Sequence, residues 1–219
     1  MTNPDTQRKV VAIFGGTFDP IHLGHLACAR YVLEHCPVDE VQLMPCHLPP
    51  HRATPGVSAV QRAEMIKLAI AAEPAMQLQP LELQRDSPSY TADSLSLLRQ
   101  AMPDSTLAFI VGMDSLSYFK QWYQWQHILK QCHLIVCQRP GYSSQDGDCP
   151  ALLAQYGADQ NTLRTLQHGR IIVLDNPPIL ASATAIRQAL AQHQQNISEL
   201  DPAVLNYIQQ QRLYQSEAL

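Results

Sequence analysis

Short apolar runs alternate with longer amphipathic stretches through the first half of the chain. The apolar runs are rich in β-branched side chains, which is typical of strands buried on both faces. The longer stretches repeat apolar residues at helical spacing. The predicted order is strand Lys9–Phe14, helix His22–Cys36, strand Asp39–Pro45, helix Ser58–Glu73 and strand Met76–Leu81.

The second half repeats this alternation less regularly. It predicts a helix at Thr91–Met102 and strands at Thr106–Gly112, His133–Gln138 and Arg170–Leu174. Alternating strands and helices joined by right-handed crossovers build a parallel sheet with helices on both faces. The predicted fold class is therefore α/β, a doubly wound Rossmann-like parallel sheet.

The C-terminal end is predicted to be helical. One helix opens at Ser182, and a second follows Asp201, a favourable N-cap with Pro202 at the first helical position. A chain of 219 residues, 46% hydrophobic, suits one compact domain with a substantial core. We expect a single domain over residues 1–219, with the C-terminal helices of about residues 182–212 packed on it.

Three stretches between the predicted elements are typical of loops. They are rich in proline, glycine, serine or aspartate, and they span Cys46–Gly56, Asp86–Ser89 and Arg139–Pro150. Loops of this kind carry binding residues on a rigid scaffold, so these three are candidates for substrate-binding lids.

The net charge, the lengths of the apolar runs and the spacing of the cysteines limit the classes of protein to which the chain can belong. The formal net charge of −4 lacks the basic footprint of a protein that grips long nucleic acid, so any phosphate site must be local. The first apolar run is too short for a signal peptide, and none approaches the roughly 20 residues that span a bilayer. Six cysteines without a CxxC pair favour reduced thiols over a disulfide or a zinc site. We expect a cytoplasmic protein with no nucleic-acid or membrane partner.

The first strand ends in a glycine-rich turn, GGTFDPIHLGH at residues 15–25, with a helix beginning near Ile21. Glycines let the backbone approach a ligand closely, and free N–H groups at a helix start attract anions. The spacing matches neither the dinucleotide fingerprint GxGxxG nor a P-loop. The turn is therefore a candidate phosphate site of another kind.

His22 and His25 make this turn specific. They lie three residues apart, on one face of the first helical turn, and Gly24 between them keeps that face open. Imidazoles there can donate hydrogen bonds to phosphate oxygens, and a polyanion would favour their protonated forms. The alternative is that both histidines only cap and solvate the helix start.

A second candidate phosphate site opens the helix at residues 182–187, SATAIR. Ser182 is a plausible N-cap, while Thr184 and Arg187 share a face beside the positive end of the helix dipole. Such a site can hold the outer phosphates of a nucleoside triphosphate. The alternative is an ordinary capped surface helix with an exposed arginine.

The first turn resembles the GxFDPxHxGH motif of the nucleotidyltransferase superfamily, and residues 182–187 resemble its second motif, with Ala183 in place of a serine. The resemblance implies in-line attack by an acceptor phosphate on the α-phosphate of ATP, assisted by Mg²⁺, with pyrophosphate leaving. The catalytic residues it implies are His22, His25 and Arg187. The residues it implies for ATP and phosphate binding are Gly15, Gly16, Thr17, Phe18, Gly24, Ser182, Thr184 and Ile186.

Four middle segments resemble the nicotinate-nucleotide adenylyltransferase family of that superfamily. They are LPPHR at 48–52, SYTADSL at 89–95, GMDSL at 112–116, and WYQW at 122–125 followed by RPG at 139–141. With the two end motifs, the resemblance runs from about Val11 to Arg187. It implies that the substrates are ATP and nicotinate mononucleotide and that the product is the dinucleotide precursor of NAD.

Four residues of these segments have side chains suited to nicotinate mononucleotide. His51 and Arg52 lie on a proline-stiffened loop and can reach phosphates, although the family usually has Lys at the second position. Asp114 follows a predicted strand and can bond a ribose hydroxyl, the alternative being a helix cap. Trp122 offers a flat face for a pyridine ring, the alternative being a core role that we assign to Trp125.

The resemblance supplies the remaining contacts. It implies that backbone amides around Thr91 and Tyr123 hold the nicotinate carboxylate, so selectivity would come from donors aimed at an anion. It also implies that Arg139 lies near the nucleotide phosphate. No protein metal site is predicted, because Mg²⁺ in such sites is often held by substrate phosphates and water. The sequence leaves the oligomeric state open.

Other functions remain as alternatives. Phosphopantetheine adenylyltransferases and cytidylyltransferases have the same fold but lack the WxxW stretch. A non-catalytic nucleotide sensor would be expected to lose His22, His25 or Arg187 first, since these serve the transition state more than the fold. A fragment of a class I aminoacyl-tRNA synthetase would carry a basic surface for tRNA.

Overall fold

A six-stranded sheet forms the centre of the protein in the computed structural model, which describes residues 8–47, 57–85, 88–177 and 181–215. The strand order is β3-β2-β1-β4-β5-β6, and every neighbouring pair is parallel. The strands are β1 Val10–Gly16, β2 Glu40–Pro45, β3 Met76–Leu78, β4 Thr106–Gly112, β5 His133–Cys137 and β6 Ile171–Val173. The predicted doubly wound parallel sheet is confirmed.

Helices connect the strands, and two further helices follow the last strand. They are α1 Leu23–His35, α2 Ala59–Ala69, α3 Thr91–Ala101, α4 Met113–Leu116, α5 Trp125–Gln131, α6 Cys149–Tyr156, α7 Thr162–Thr165, α8 Ala183–Ala191 and α9 Pro202–Gln210. Each strand and helix predicted from the pattern is present. The short helices α4 to α7 were not predicted, because they are too short to show a helical period.

The third predicted strand is shorter than expected. It ends at Leu78, and a 3₁₀ turn occupies Leu81–Gln84. Pro80 has no N–H to continue a ladder, so the last backbone bond to β2 runs from the Gln79 N–H to the Leu43 carbonyl, at 2.8 Å. After this 3₁₀ turn the chain continues into the loop that precedes α3.

Both faces of the sheet are buried. Alternate residues of β1 point into two separate cores, with Val10 and Ala12 in one and Val11 and Ile13 in the other. The order of the strands reverses between β1 and β4. Parallel α/β sheets bind ligands at such a switch point, beyond the carboxyl ends of the strands.

The C-terminal helices share a core with α1 and α2. Ile186 of α8 and Val204 and Ile208 of α9 are buried in that cluster. Both predicted N-caps are confirmed: Ser182 Oγ accepts from the Ala185 N–H, and Asp201 Oδ1 accepts from the Ala203 N–H. One domain over residues 1–219 stays a prediction. Within the described ranges, no helix has the length and apolar character needed to cross a membrane.

Candidate active site

The turn between β1 and α1 lies at the switch point, with its glycines packed against aromatic rings. A Cβ added to Gly15 would lie 2.7 Å from the Phe109 ring of β4, and one added to Gly16 would lie 3.2 Å from the Phe18 ring. Phe18 is buried and has a left-handed backbone, with φ of 49°. These glycines are therefore required by close packing inside the protein, which the sequence argument about ligand approach did not include.

His22 and His25 meet at the start of α1. His22 is the N-cap residue and His25 is the third helical residue. The His22 backbone N–H donates to His25 Nδ1 at 3.2 Å, and the two rings stack with their centroids 3.7 Å apart. The histidines do cap the helix, as the alternative held, but His22 is buried and not solvated. Because Nδ1 of His25 accepts, the proton of its neutral ring lies on Nε2.

Burial keeps both rings neutral in the free protein. It lowers the pKa of His22 to about 4, with a further lowering from Arg139. Burial also lowers the pKa of His25 well below its usual value, helped by His22 and Arg139. Among the described residues, His22 Nδ1 has no hydrogen-bond partner although it is buried. A bound polyanion would raise both pKa values, since it favours the charged imidazolium.

One amide of the helix start is already engaged. The Leu23 N–H donates to the Glu199 carbonyl at 2.8 Å. The sequence argument treated the N–H groups of this helix start as free for an anion, and for Leu23 that was wrong. A phosphate at this turn would therefore have one helix amide fewer to bind than the sequence indicated.

Arg187 reaches this turn from α8. Its Nη1 donates to the Asp19 carbonyl at 2.8 Å, and its Nη2 lies 3.4 Å from Thr184 Oγ1. The structure thus brings the two predicted phosphate motifs together. Ile186 is buried in the core, so its side chain serves packing, and a role for this residue in binding ATP stays a prediction.

Asp114 and Arg139 form an ion pair beyond the end of β4. Arg139 Nη1 lies 2.6 Å from Asp114 Oδ2, while Asp114 Oδ1 is buried with no partner among the described residues. A Cβ on Gly112 would collide with that carboxylate. The helix-cap alternative for Asp114 is wrong, because Gly112 holds the cap position of α4. The free oxygen can accept from a hydroxyl of a ligand.

Aromatic side chains cluster near the carboxyl end of β4. Trp122 is partly buried against Phe109 and Phe119, with ring centroids 6.4 and 5.4 Å away. Tyr123 is 48% exposed, and its ring lies 4.8 Å from that of Tyr90. The sequence argument quoted Tyr90 within a motif but gave it no role. Its ring packs against that of Tyr123.

The two tryptophans do not share a helix, contrary to the spacing argument. Trp122 ends a 3₁₀ turn, Gln124 is left-handed with φ of 50°, and α5 begins at Trp125. Trp125 packs edge-on against Phe119 and Tyr156. The left-handed residue turns the chain between the tryptophans. Both rings lie near Phe119 against the same core, and they differ in their other aromatic neighbour, which is Phe109 for Trp122 and Tyr156 for Trp125.

The predicted loops contribute unevenly. His51 and Arg52 lie outside the described residues. The His47 N–H, at the start of that loop, donates to Ser89 Oγ at 3.1 Å, which ties the first loop to the second. Thr91 is the first residue of α3. The third loop is shorter than predicted, because α6 begins at Cys149.

Sequence reasoning missed Arg62, which is 1% exposed behind the turn between β1 and α1. Its Nη1 donates to the Thr17 carbonyl at 2.5 Å and its Nη2 to the Cys46 carbonyl at 2.6 Å. It therefore joins the turn after β1 to the loop after β2. The signal was present in the sequence, since Arg62 interrupts the apolar face of α2 that Ile66 and Ala69 continue.

No group of three or more histidine, cysteine or acidic residues is placed to hold a metal within the described part of the chain. Two carboxylates near the carboxyl ends of β1 and β4 have partners on one oxygen: Asp114 Oδ2 pairs with Arg139, and Asp19 Oδ1 accepts from Tyr214 Oη. That Mg²⁺ is held by substrate phosphates and water stays a prediction.

Known proteins resemble this chain over most of its length. A model of the cytidylyltransferase-like family matches residues 13–189. The probable nicotinate-nucleotide adenylyltransferase of Aeromonas hydrophila is 44% identical over 209 residues, 93% of this chain and 96% of that protein. The protein of the same name from Cronobacter sakazakii is 42% identical over 207 residues, 93% and 94% of the two chains.

Solved structures share the fold at low identity. Plasmodium falciparum nicotinic acid mononucleotide adenylyltransferase complexed with NaAD has a TM-score of 0.71 at 18% identity, covering 94% of this chain and 98% of that one. A putative nicotinate-nucleotide adenylyltransferase from Vibrio parahaemolyticus has a TM-score of 0.64 at 19% identity, covering 92% and 99%.

Proposed function

The chain belongs to the nicotinate-nucleotide adenylyltransferase family, within the cytidylyltransferase-like proteins, and we infer that it transfers the adenylyl group of ATP to nicotinate mononucleotide. The acceptor phosphate oxygen attacks the α-phosphorus, a new P–O–P bond forms, and the bond to pyrophosphate breaks. The products are nicotinate adenine dinucleotide, in NAD biosynthesis, and pyrophosphate. The observation that carries this function is that Arg187 contacts the Asp19 carbonyl in the same turn after β1 that leads into the stacked pair His22 and His25.

The proposed mechanism is positioning and charge neutralisation. His22 and His25 present ring N–H groups to the transferred phosphate. Their protonated forms become more favourable as negative charge builds up on that phosphate. Arg187 neutralises the leaving pyrophosphate with its guanidinium. No general base is required, because the acceptor phosphate is already ionised, so alignment for in-line attack is the main task.

ATP is proposed to lie along the turn after β1. The backbone of Gly15, Gly16, Thr17 and Phe18 would line its phosphates, with Gly24 keeping the histidine face open. At the start of α8, Ser182 and Thr184 would contact the outer phosphates beside Arg187. The absence of a hydroxyl at Ala183 removes one such contact and leaves the backbone N–H in place.

Nicotinate mononucleotide is proposed to lie between the carboxyl end of β4 and the start of α3. Trp122 would stack on the pyridine ring, and backbone amides near Thr91 and Tyr123 would hold the carboxylate. Asp114 would accept from a ribose hydroxyl through its unpartnered Oδ1. Arg139, with His51 and Arg52 from the first loop, would neutralise the nucleotide phosphate.

Mg²⁺ is proposed to enter with ATP, held by phosphate oxygens and water, and to neutralise charge on the triphosphate. The residues of this chain would bind the nucleotide around it, with no step that requires a protein ligand to the ion. With two nucleotides as substrates, the enzyme is proposed to act in the cytoplasm.

The test compares three acceptors in parallel with ATP and Mg²⁺: nicotinate mononucleotide, nicotinamide mononucleotide and phosphopantetheine. Pyrophosphate and the adenylated product are both measured. We expect the fastest turnover with nicotinate mononucleotide. Turnover only with another acceptor would overturn the roles of the middle segments while leaving both phosphate motifs in place. No turnover with any acceptor would favour a nucleotide sensor.

A further inference from the structure

The segment after α9 returns to the phosphate turn. Tyr214 Oη donates to Asp19 Oδ1 at 2.7 Å, although the two residues are 195 positions apart in sequence. The same Asp19 accepts from Arg187 Nη1 at its carbonyl, at 2.8 Å, and its Oδ2 lies 3.9 Å from that nitrogen. Asp19 therefore stands between the tyrosine hydroxyl and the arginine of the second phosphate motif.

An unusual backbone delivers Tyr214 to this position. Arg212 and Tyr214 are both left-handed, with φ of 53° and 62°, a region that costs free energy for residues other than glycine. Between them, Leu213 is buried in the core and its N–H donates to the Ile208 carbonyl at 3.0 Å. Strained residues persist where the surrounding structure over-determines them, and they gather at functional sites.

A second contact joins the C-terminal part of the chain to the same turn. The Glu199 carbonyl accepts from the Leu23 N–H, next to His22. The turn is thus held on both sides of its histidine, by Glu199 at the helix start and by Tyr214 at Asp19. The C-terminal segment supports the phosphate site directly and does more than cover the core.

We propose that Tyr214 is a positioning residue for adenylyl transfer, acting through Asp19 on Arg187. This rests on the proposed function. By holding Oδ1, the tyrosine hydroxyl keeps the Asp19 carboxylate from swinging further toward the guanidinium and shortening the long 3.9 Å ion pair into a close one. A carboxylate paired in that way would hold Arg187 away from the phosphates it has to neutralise.

The hydroxyl is suited to act as a permanent donor. Burial raises the pKa of Tyr214 far above its usual value, and the hydrogen bond to Asp19 raises it further. Three charged groups face it, namely Asp19 and, with opposite sign, Arg187 and Arg62. The tyrosine therefore keeps its proton across the pH range in which the enzyme works, and no titration switch is involved.

The test replaces Tyr214 by Phe in the full chain, which removes only the hydroxyl. We expect kcat/KM for ATP to fall roughly tenfold, while KM for the acceptor stays within about twofold and the melting temperature changes little. Tyr207→Phe is the matched control, since this tyrosine lies on α9 and, in the described structure, its hydroxyl makes no hydrogen bond. The control should keep wild-type kinetics.

A double-mutant cycle separates positioning from general support. If Tyr214 acts through Asp19, adding Tyr214→Phe to Asp19→Asn should cost little beyond Asp19→Asn alone. Additive losses, or wild-type kcat/KM for ATP in Tyr214→Phe, would overturn the proposal. Calorimetric titration with ATP alone gives a readout that needs no acceptor, so Tyr214 can be judged even if the acceptor assignment fails. Unchanged ATP affinity together with unchanged turnover on any active acceptor would also overturn it.

Discussion

The His22 backbone N–H donates to His25 Nδ1 at 3.2 Å, and the two imidazoles stack with centroids 3.7 Å apart. One nitrogen of His25 is thereby committed to the helix cap, which directs the other, protonated nitrogen away from the cap. Capping and phosphate binding, which the sequence presented as alternatives, are compatible uses of one ring. His22 is buried and His25 half-buried, and lowered pKa values keep both rings neutral in the free protein.

The first prediction concerns this neutral state. The pKa of His22 is about 4 in the free protein, so the ring should carry no charge at pH 7. Binding of ATP with Mg²⁺ should raise that pKa, because nearby negative charge favours the imidazolium. NMR titration of the histidine ring carbons, assigned with His22→Gln, measures both states. An ordinary pKa near 6.5 in the free protein, or no change with ATP, would contradict the electrostatic account.

Stability should fall in acid through buried neutral histidines. Burial lowers the pKa of His133 to about 4, while the unfolded chain titrates near 6.5. Between these values the unfolded state binds the extra proton, so stability is full above pH 6.5 and is lost as pH falls toward 4. For His133 alone the loss at pH 5 is about 2 kcal/mol.

Urea denaturation at pH 7.5 and pH 5 checks this, in wild type and His133→Gln. The variant should show a smaller difference between the two pH values, by about 2 kcal/mol. His35→Gln, at the exposed end of α1, should keep the wild-type difference. Equal pH dependence in wild type and His133→Gln would sink the prediction.

Arg62 should contribute strongly to stability. Replacing it with Met leaves the Thr17 and Cys46 carbonyls without their donors, which should cost about 2–4 kcal/mol of unfolding free energy. Lys67→Met, on the exposed side of the same helix, should cost under about 0.5 kcal/mol. Chemical denaturation measures the free energy of unfolding of both variants. Equal values would show that the buried guanidinium does not join the turn after β1 to the loop after β2.

Substitutions of Trp122 and Trp125 should have different effects on substrate binding and on stability. Trp122→Leu should raise KM for nicotinate mononucleotide up to about tenfold, since a stacked aromatic contact is worth roughly 0.5–1.5 kcal/mol. Trp125→Leu should lower the melting temperature through lost contacts with Phe119 and Tyr156, with KM little changed. Steady-state kinetics and thermal melts distinguish them, and an unchanged KM in Trp122→Leu argues against stacking.

Local signals in the sequence were enough for the sheet and for several helix ends. The β-branched run Thr106–Gly112 is a strand with the predicted bounds, because burial on both faces leaves a continuous apolar run. Ser182 and Asp201 cap helices as predicted, because an N-cap depends on residues only two or three positions away. These features need no knowledge of distant partners.

Contacts between residues far apart in the sequence could not be predicted from the hydrophobic pattern. The Leu23 N–H is taken by Glu199, and Asp19 is held by Tyr214, and neither pairing leaves a periodic trace in the sequence. The left-handed Gln124 separated two tryptophans whose spacing indicated one helix. The site residues were named from local motifs, whereas groups that contact them, such as Glu199 and Tyr214, lie far away in the sequence.

The most direct test of adenylyl transfer at this site is a single-turnover measurement of nicotinate adenine dinucleotide formation. Wild type and His35→Ala, a control on the same helix, should form the dinucleotide and pyrophosphate in equal amounts at similar rates. His25→Ala should be slower by at least about 100-fold, with circular dichroism close to wild type and melting lowered only by the loss of the helix-cap bond. Dinucleotide formation by His25→Ala at a rate near that of wild type would contradict the account.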